Sequence, residues 1–325
     1  MEMQQYLKYA QDWLQSGHPV VLAVVSKTWG SAPRPVGSLM IIHALGHFEG
    51  SVSGGCIESS VITEAAALMG ASQSKTLDFS VANEDAWQVG LSCGGRIQVQ
   101  LFPFSPKAAH VFSQALQALE KRIPGSLRLD HEGGSINFTA LDKDARSSSS
   151  LKANESDLSL ASGISLDLRP CLSLVIVGAV HISQSLAPMA VACGYDVTLV
   201  DPRELFTAQR EFKGAAIVKD WPDEYLQSTP LDAYSALVTL THDPKIDDAA
   251  LRPALASDAF YIGSLGSTKT HAARRMRLAE SGYSANQIDR IKGPVGLSIG
   301  AKSSAEIAVS IMAELTKIYR ATSAL

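Results

Sequence analysis

The chain has 325 residues, 46% hydrophobic and 18% charged, and 28 Lys and Arg against 32 Asp and Glu give a net charge of −4. That length suits two domains, each large enough to bury its own core. The mild acidity provides no clustered basic face, which excludes nucleic acid as a partner.

The first stretch, MEMQQYLKYAQDWLQSG, spaces Tyr6, Tyr9, Trp13 and Leu14 as a helix that Gly17 stops. Glu2, Lys8 and Asp12 interrupt it, so it is not the apolar region of a secretory signal. Strand-type segments follow at 19–27, 37–43, 75–81, 95–104, 125–131 and 135–141, with helices at 57–69 and 106–122. This pattern predicts an N-terminal α+β domain over residues 1–145.

Two features of that domain bear on chemistry. In GSVSGGCIESSV (50–61), Ser53, Gly54 and Gly55 form a flexible turn before Cys56 and a helix. A thiolate there would face free N–H groups and the positive end of the helix dipole, whereas a buried Cys56 would be a small hydrophobe. Cys93, with Gly94 and Gly95 in LSCGGR, repeats the pairing of cysteine with two glycines, and packing is its simpler reading. Neither belongs to a C-x-x-C pair, and four cysteines (with Cys171 and Cys193) do not make a disulfide scaffold. In TWGSAPRPVGS (28–38), Arg34 sits between two prolines that stiffen the loop, as suits an arginine that clamps an anion.

Residues 142–165 carry four consecutive serines and no sustained apolar period, which places a linker at 146–165. Beyond it, over 166–325, strand, turn and helix alternate regularly from LSLVIVG (172–178), which predicts a Rossmann-like, doubly wound parallel sheet. Apolar runs such as CLSLVIVGAV (171–180) are too short to span a bilayer, so a cytoplasmic protein with no membrane partner is expected.

Gly178 ends the first strand of that sheet, and Asp201 follows 23 positions later, where a Rossmann acid meets a ribose hydroxyl. The glycine fingerprint is broken: Val180 and Ser183 stand where its second and third glycines belong. Pro188 lies inside the next helix, where it removes a hydrogen bond. His242 and Asp243 follow a later strand, and Gly263 and Gly266 flank the mouth of a helix, an anion-site geometry. Arg274, Arg275 and Arg277 read as a solvated helix face in preference to a phosphate clamp. Ser303 and Glu306 form a capping box for the last helix.

Taken together, TWGSAPRPVGS, GSVSGGCIE, EDAWQVGLSCGGRIQV, IVGAVHI, VDPR, DWPDEYL, LTHDPKIDD, YIGSLGSTKTHAARR and GPVGLSIGAKSSAEIAVSIMAEL resemble the XdhC/CoxI family of xanthine dehydrogenase accessory factors, from about residue 18 to 318. The resemblance implies a chaperone that binds the molybdenum cofactor in its molybdopterin form. Such a factor assists sulfuration with a cysteine desulfurase as donor, and aids insertion into an apo-molybdenum hydroxylase. It also implies a homodimer, and makes Cys56 the first candidate to touch molybdenum or handle sulfur, with Cys93 second. Many members read G-x-G-H where this chain has Gly178-Ala179-Val180-His181. The competing reading is an NAD(P)-dependent oxidoreductase, or a binder of another nucleotide, that uses the second domain. A purely structural adaptor is the third.

Overall fold

The computed structural model describes residues 2–30, 32–80, 95–131, 135–141, 159–160, 162–208 and 210–323. The chain divides into two compact units, 1–170 and 171–325.

The first unit opens with α1 (Glu2–Gln15), whose Leu7, Ala10 and Leu14 are buried. Five strands follow: β1 (Val20–Trp29), β2 (Leu39–His43), β3 (Phe48–Gly50), β4 (Lys75–Phe79) and β5 (Arg96–Phe104). They pair antiparallel in the spatial order β3-β2-β1-β5-β4. β1 is central, and its alternation explains why every residue from Val20 to Val25 is buried. Val20, Leu22 and Val24 face one core, while Val21, Ala23 and Val25 face another that includes α2 (Glu58–Ala67).

The other face packs α1, α3 (Ala109–Glu120) and a second antiparallel sheet of β6 (Gly125–Asp130), β7 (Ile136–Ala140), β8 (Ser159–Leu160) and β9 (Gly163–Leu168). The structure corrects the expected linker at its C-terminal end. GISLDL at 163–168 is strand β9, paired along β6, because Ile164, Leu166 and Leu168 alternate into the core. The units therefore part at 170/171, five residues beyond the expected boundary.

The second unit is one parallel sheet of β10 (Ser173–Val177), β11 (Asp196–Val200), β12 (Ala215–Val218), β13 (Ser235–Thr239), β14 (Tyr261–Ser264) and β15 (Ile291–Lys292). Their spatial order is β12-β11-β10-β13-β14-β15, the order of a dinucleotide-binding fold with its switch point between β10 and β13. Leu174 and Ile176 pack with α4 (His181–Ala192) and α10 (Ser304–Ser323) on one face. Val175 and Val177 pack with α6 (Pro222–Ser228), α7 (Pro244–Leu255) and α8 (Thr268–Glu280) on the other. α5 (Glu204–Ala208) follows β11, α9 (Ala285–Ile288) precedes β15, and α4 runs through Pro188 as one helix. No helix among the described residues is long and apolar enough to cross a membrane.

Candidate functional site

In the first unit, register brings the glycine-rich stretches to one end of the five-stranded sheet. Gly37 N donates to Val25 O, Gly50 pairs with Met40, and Trp29 pairs with Arg96, so the loops 30–38 and 51–57 and the entry to β5 all open there. A Cβ built on Gly30, at φ +68°, would lie 3.7 Å from the Gly95 Cα, and the Arg96 guanidinium stands 4.8 Å over the Trp29 ring. Cys93 and Gly94 lie outside the described residues.

The loop before α2 is built around Glu58, the first residue of that helix. Its Oε1 accepts from Ser51 Oγ (2.6 Å), Val52 N (3.2 Å) and Ser53 N (2.9 Å), and its Oε2 from Ser53 Oγ (2.6 Å), Gly55 N (2.9 Å) and Ile57 N (3.2 Å). Burial pushes this carboxyl up, but the hydrogen bonds from Ser51 and Ser53 outweigh it and hold its pKa at about 2. A permanent anion therefore sits at the start of α2.

The two amides nearest the Cys56 thiol in sequence are already engaged: Cys56 N and Ile57 N donate to Ser53 Oγ (3.0 Å each), and Ile57 N also to Glu58. Cys56 is a free, half-buried thiol packed against the core on the α2 face, on a loop where Ser51, Val52, Ser53 and Gly55 donate to one carboxylate and Gly54 N donates to Ser51 Oγ. Beside it Gly54 (φ +80°) and Gly55 (φ +116°) are exposed, with nothing within 4 Å of an added Cβ. Arg34 is half-buried on its loop, and its Nε is buried without a partner among the described residues. An orphaned guanidinium nitrogen, an open glycine turn and a free thiol suit an anionic ligand with a soft metal. No cluster of three or more metal-ligating side chains occurs among the described residues.

In the second unit the strand ends surround Gly178, at φ +113°, where a Cβ would come within 2.7 Å of Thr241 Cγ2 across the switch point. Val180 is the residue before α4, and Ser183 is fully buried with its hydroxyl donating to Gly178 O. His181 is exposed at the first position of α4, with Nδ1 3.2 Å from Gln184 Oε1. The expected ribose acid is placed differently. Asp201 has no exposed surface; its Oδ2 accepts from Ala179 N (2.7 Å) and Arg203 Nη2 (2.8 Å), and its Oδ1 from Arg203 N and Nε (2.9 Å each). Burial raises its pKa, and these bonds bring it below the ordinary carboxylate value.

The remaining strand ends are mostly structural. Asp243 caps α7 by accepting from Lys245 N (2.9 Å), and His242 adopts φ +63° just before it. Gly263 lies within β14, where a Cβ would meet Val295 and Tyr261. Gly266 (φ +143°) precedes Ser267, whose hydroxyl accepts from Thr270 N to cap α8. Of the α8 arginines, Arg274 departs from the expected solvated face, being 2% exposed and donating to Leu265 O, while Arg275 and Arg277 stay partly exposed and pair with Asp289 and Asp248. Glu306 accepts from Ser303 N while Ser303 Oγ accepts from Glu306 N, which is the predicted capping box.

Residues 13–80 match the family described as "XdhC and CoxI family", and residues 174–315 match its "XdhC Rossmann domain". A molybdenum cofactor insertion chaperone of Escherichia coli, PaoD, is 30% identical over 96% of this chain and 87% of its own. The chain belongs to the XdhC and CoxI family. A Bacillus subtilis relative, described as a probable xanthine dehydrogenase subunit, is 26% identical over 93% of this chain and 94% of its own. The crystal structure of a Bacillus halodurans protein described as a xanthine dehydrogenase shares the fold, with a TM-score of 0.75 at 24% identity, covering 97% of this chain and 96% of that one.

Sequence reasoning missed Glu58 as the acceptor that holds its loop and Arg203 as the partner of Asp201. For Glu58 the signal was present, a carboxylate three residues after a Ser-x-Ser-Gly-Gly turn at a helix start.

Proposed function

We propose that this family member is a molybdenum cofactor chaperone that holds the cofactor at the loop end of the first unit's five-stranded sheet and passes it to an apo-molybdenum hydroxylase in the cytoplasm. The observation that carries the reading is the free, half-buried thiol of Cys56 on a loop fixed by Glu58, with the open turn at Gly54 and Gly55 beside it. In this reading the Cys56 sulfur contacts the molybdenum of the cargo or accepts sulfur from a cysteine desulfurase. Gly54 and Gly55 let the cargo approach the backbone, and the Arg34 guanidinium meets its anionic groups. The name of the E. coli relative supports the chaperone role. Glu58 serves by position: with its charge fixed by hydrogen bonds, the turn needs no rearrangement before it binds.

The test is the molybdenum and pterin content of protein purified without oxygen from a molybdate-fed host, wild type beside Cys56→Ala. Near-stoichiometric cofactor in the wild type and little in the variant is the expected result. Equal retention in both would remove Cys56 from the site, and absence from both would overturn the carrier reading.

A further inference from the structure

We propose that the carboxyl end of β11 in the second unit seats a phosphomonoester on the ribose of a nucleotide, as in the 2′-phosphate of 2′,5′-ADP, between Arg203 and Arg210. This goes beyond the cofactor-carrier reading and does not depend on it. In a sheet of this strand order, the residue at this position faces the ribose edge of a bound nucleotide, and a carboxylate there accepts from the sugar hydroxyls. Asp201 cannot do so, because it has no exposed surface and both oxygens are engaged by Ala179 N and by Arg203.

What stands at the surface is cationic. Arg203 keeps 29% of its side chain exposed while its Nε and Nη2 hold Asp201. Its guanidinium carbon lies 4.2 Å from the centroid of the Phe206 ring, and that of Arg210 lies 5.0 Å from the same centroid. One partly exposed aromatic ring thus orders two guanidinium groups. Arg210 Nη1 also donates to Ala179 O, which ties it to the turn after β10. Asp243 and Asp247 lie in the field of Arg203, so Arg210, which forms no ion pair among the described residues, is the unmatched cation.

Arg210 has its Nη1 on Ala179 O and keeps its Nε–Nη2 edge, a fork that matches the paired oxygens of a phosphate, while Arg203, whose Nε and Nη2 hold Asp201, has Nη1 left to add a single bond. Val180 occupies the position where the fingerprint's second glycine would admit a pyrophosphate, which shifts recognition from the pyrophosphate to the ribose phosphate.

Calorimetric titration of the full chain with 2′,5′-ADP and with 5′-AMP isolates the 2′-phosphate, the one group by which they differ. 2′,5′-ADP should bind about tenfold tighter or more, the effect of charge-assisted hydrogen bonds to one phosphate. Arg210→Gln, which leaves Asp201 with its partner, should bring the two to near parity. Arg203→Lys, which keeps a cation for Asp201 but loses the remaining Nη1 donor, should reduce the preference severalfold. Equal affinity in the wild type, binding of neither nucleotide at millimolar concentration, or a preference that survives Arg210→Gln would overturn the proposal.

Discussion

Each unit organises its most polar turn around one buried carboxylate, and the two are satisfied by different means. Glu58 is 8% exposed and is bonded by serine hydroxyls and backbone amides of its own loop. Asp201 is fully buried and is held largely by an arginine. The difference teaches where charge ends up. Around Glu58 the donors are neutral, so the loop keeps a net negative charge inside and shows its glycines outside, with the thiol of Cys56 half-buried beside them. Around Asp201 the charge is cancelled within, and the guanidinium that cancels it remains partly at the surface.

The largest expected effect comes from removing the hub itself. Glu58→Ala leaves the amides of Val52, Ser53 and Gly55 without their acceptor, and should destabilise the first unit by about 4 kcal/mol. Arg203→Ala leaves Asp201 buried but still bonded to Ala179 N, and should destabilise the second unit by about 3 kcal/mol. Hydrogen exchange resolved by peptide reads the two units separately: the first variant should loosen 50–68, the second 178–203. A silent Glu58→Ala would show that the loop folds without its hub, and the comparison would fail.

A smaller effect separates the two turns by shape. Gly178→Ala meets both an unfavourable φ and Thr241 Cγ2 at 2.7 Å, and should destabilise by about 3 kcal/mol. Gly54→Ala meets only its φ of +80°, with open space around the new methyl, and should cost about 1 kcal/mol. Cofactor retention by Gly54→Ala then sharpens the contrast, since a methyl in open space matters only when a ligand fills that space. Unchanged retention would mean that nothing binds against this turn.

The fold was legible because its core elements follow simple periods. Val20 to Val25 alternate between two cores, and the second unit repeats strand and helix with regular turns, so element types and most boundaries could be read directly. β9 was harder, since Ile164, Leu166 and Leu168 follow a serine-rich stretch and find their partner β6 more than thirty residues earlier. The site was legible only as a neighbourhood. That Cys56, Gly54 and Arg34 share one end of a sheet depends on strand register, which one sequence does not display. Asp201 stood at the expected distance after Gly178, yet its role depends on Arg203 two residues on, a bond that spacing from Gly178 does not reveal. Arg274 looked like a surface residue because its charge outweighs any pattern, and only the packing of α8 against α7 buries it.

The smallest effect lies in mild acid, where the two hubs differ in what surrounds them. The Glu58 carboxyl has a pKa near 2 in the folded protein against an ordinary 4.5, so its stabilisation is complete above about 4.5 and is lost as pH falls towards 2. Asp201 is also lowered from its ordinary value, and acts in the same direction. Close to it, however, burial pushes Asp247 up, so protonation of Asp247 on acidification favours the folded state and offsets part of the loss. Protection of the 51–57 amides should therefore decline before that of the amides at 178–181 as pH is lowered from 5 to 3, after correction for intrinsic exchange. One proton alters an opening equilibrium by at most about tenfold per pH unit, which bounds the effect. In Glu58→Gln the pH dependence of the 51–57 segment should flatten while that of 178–181 is unchanged. The reverse order of loosening in the wild type would mean that the arginine-held carboxylate, and not the amide-held one, is the more acid-sensitive hub.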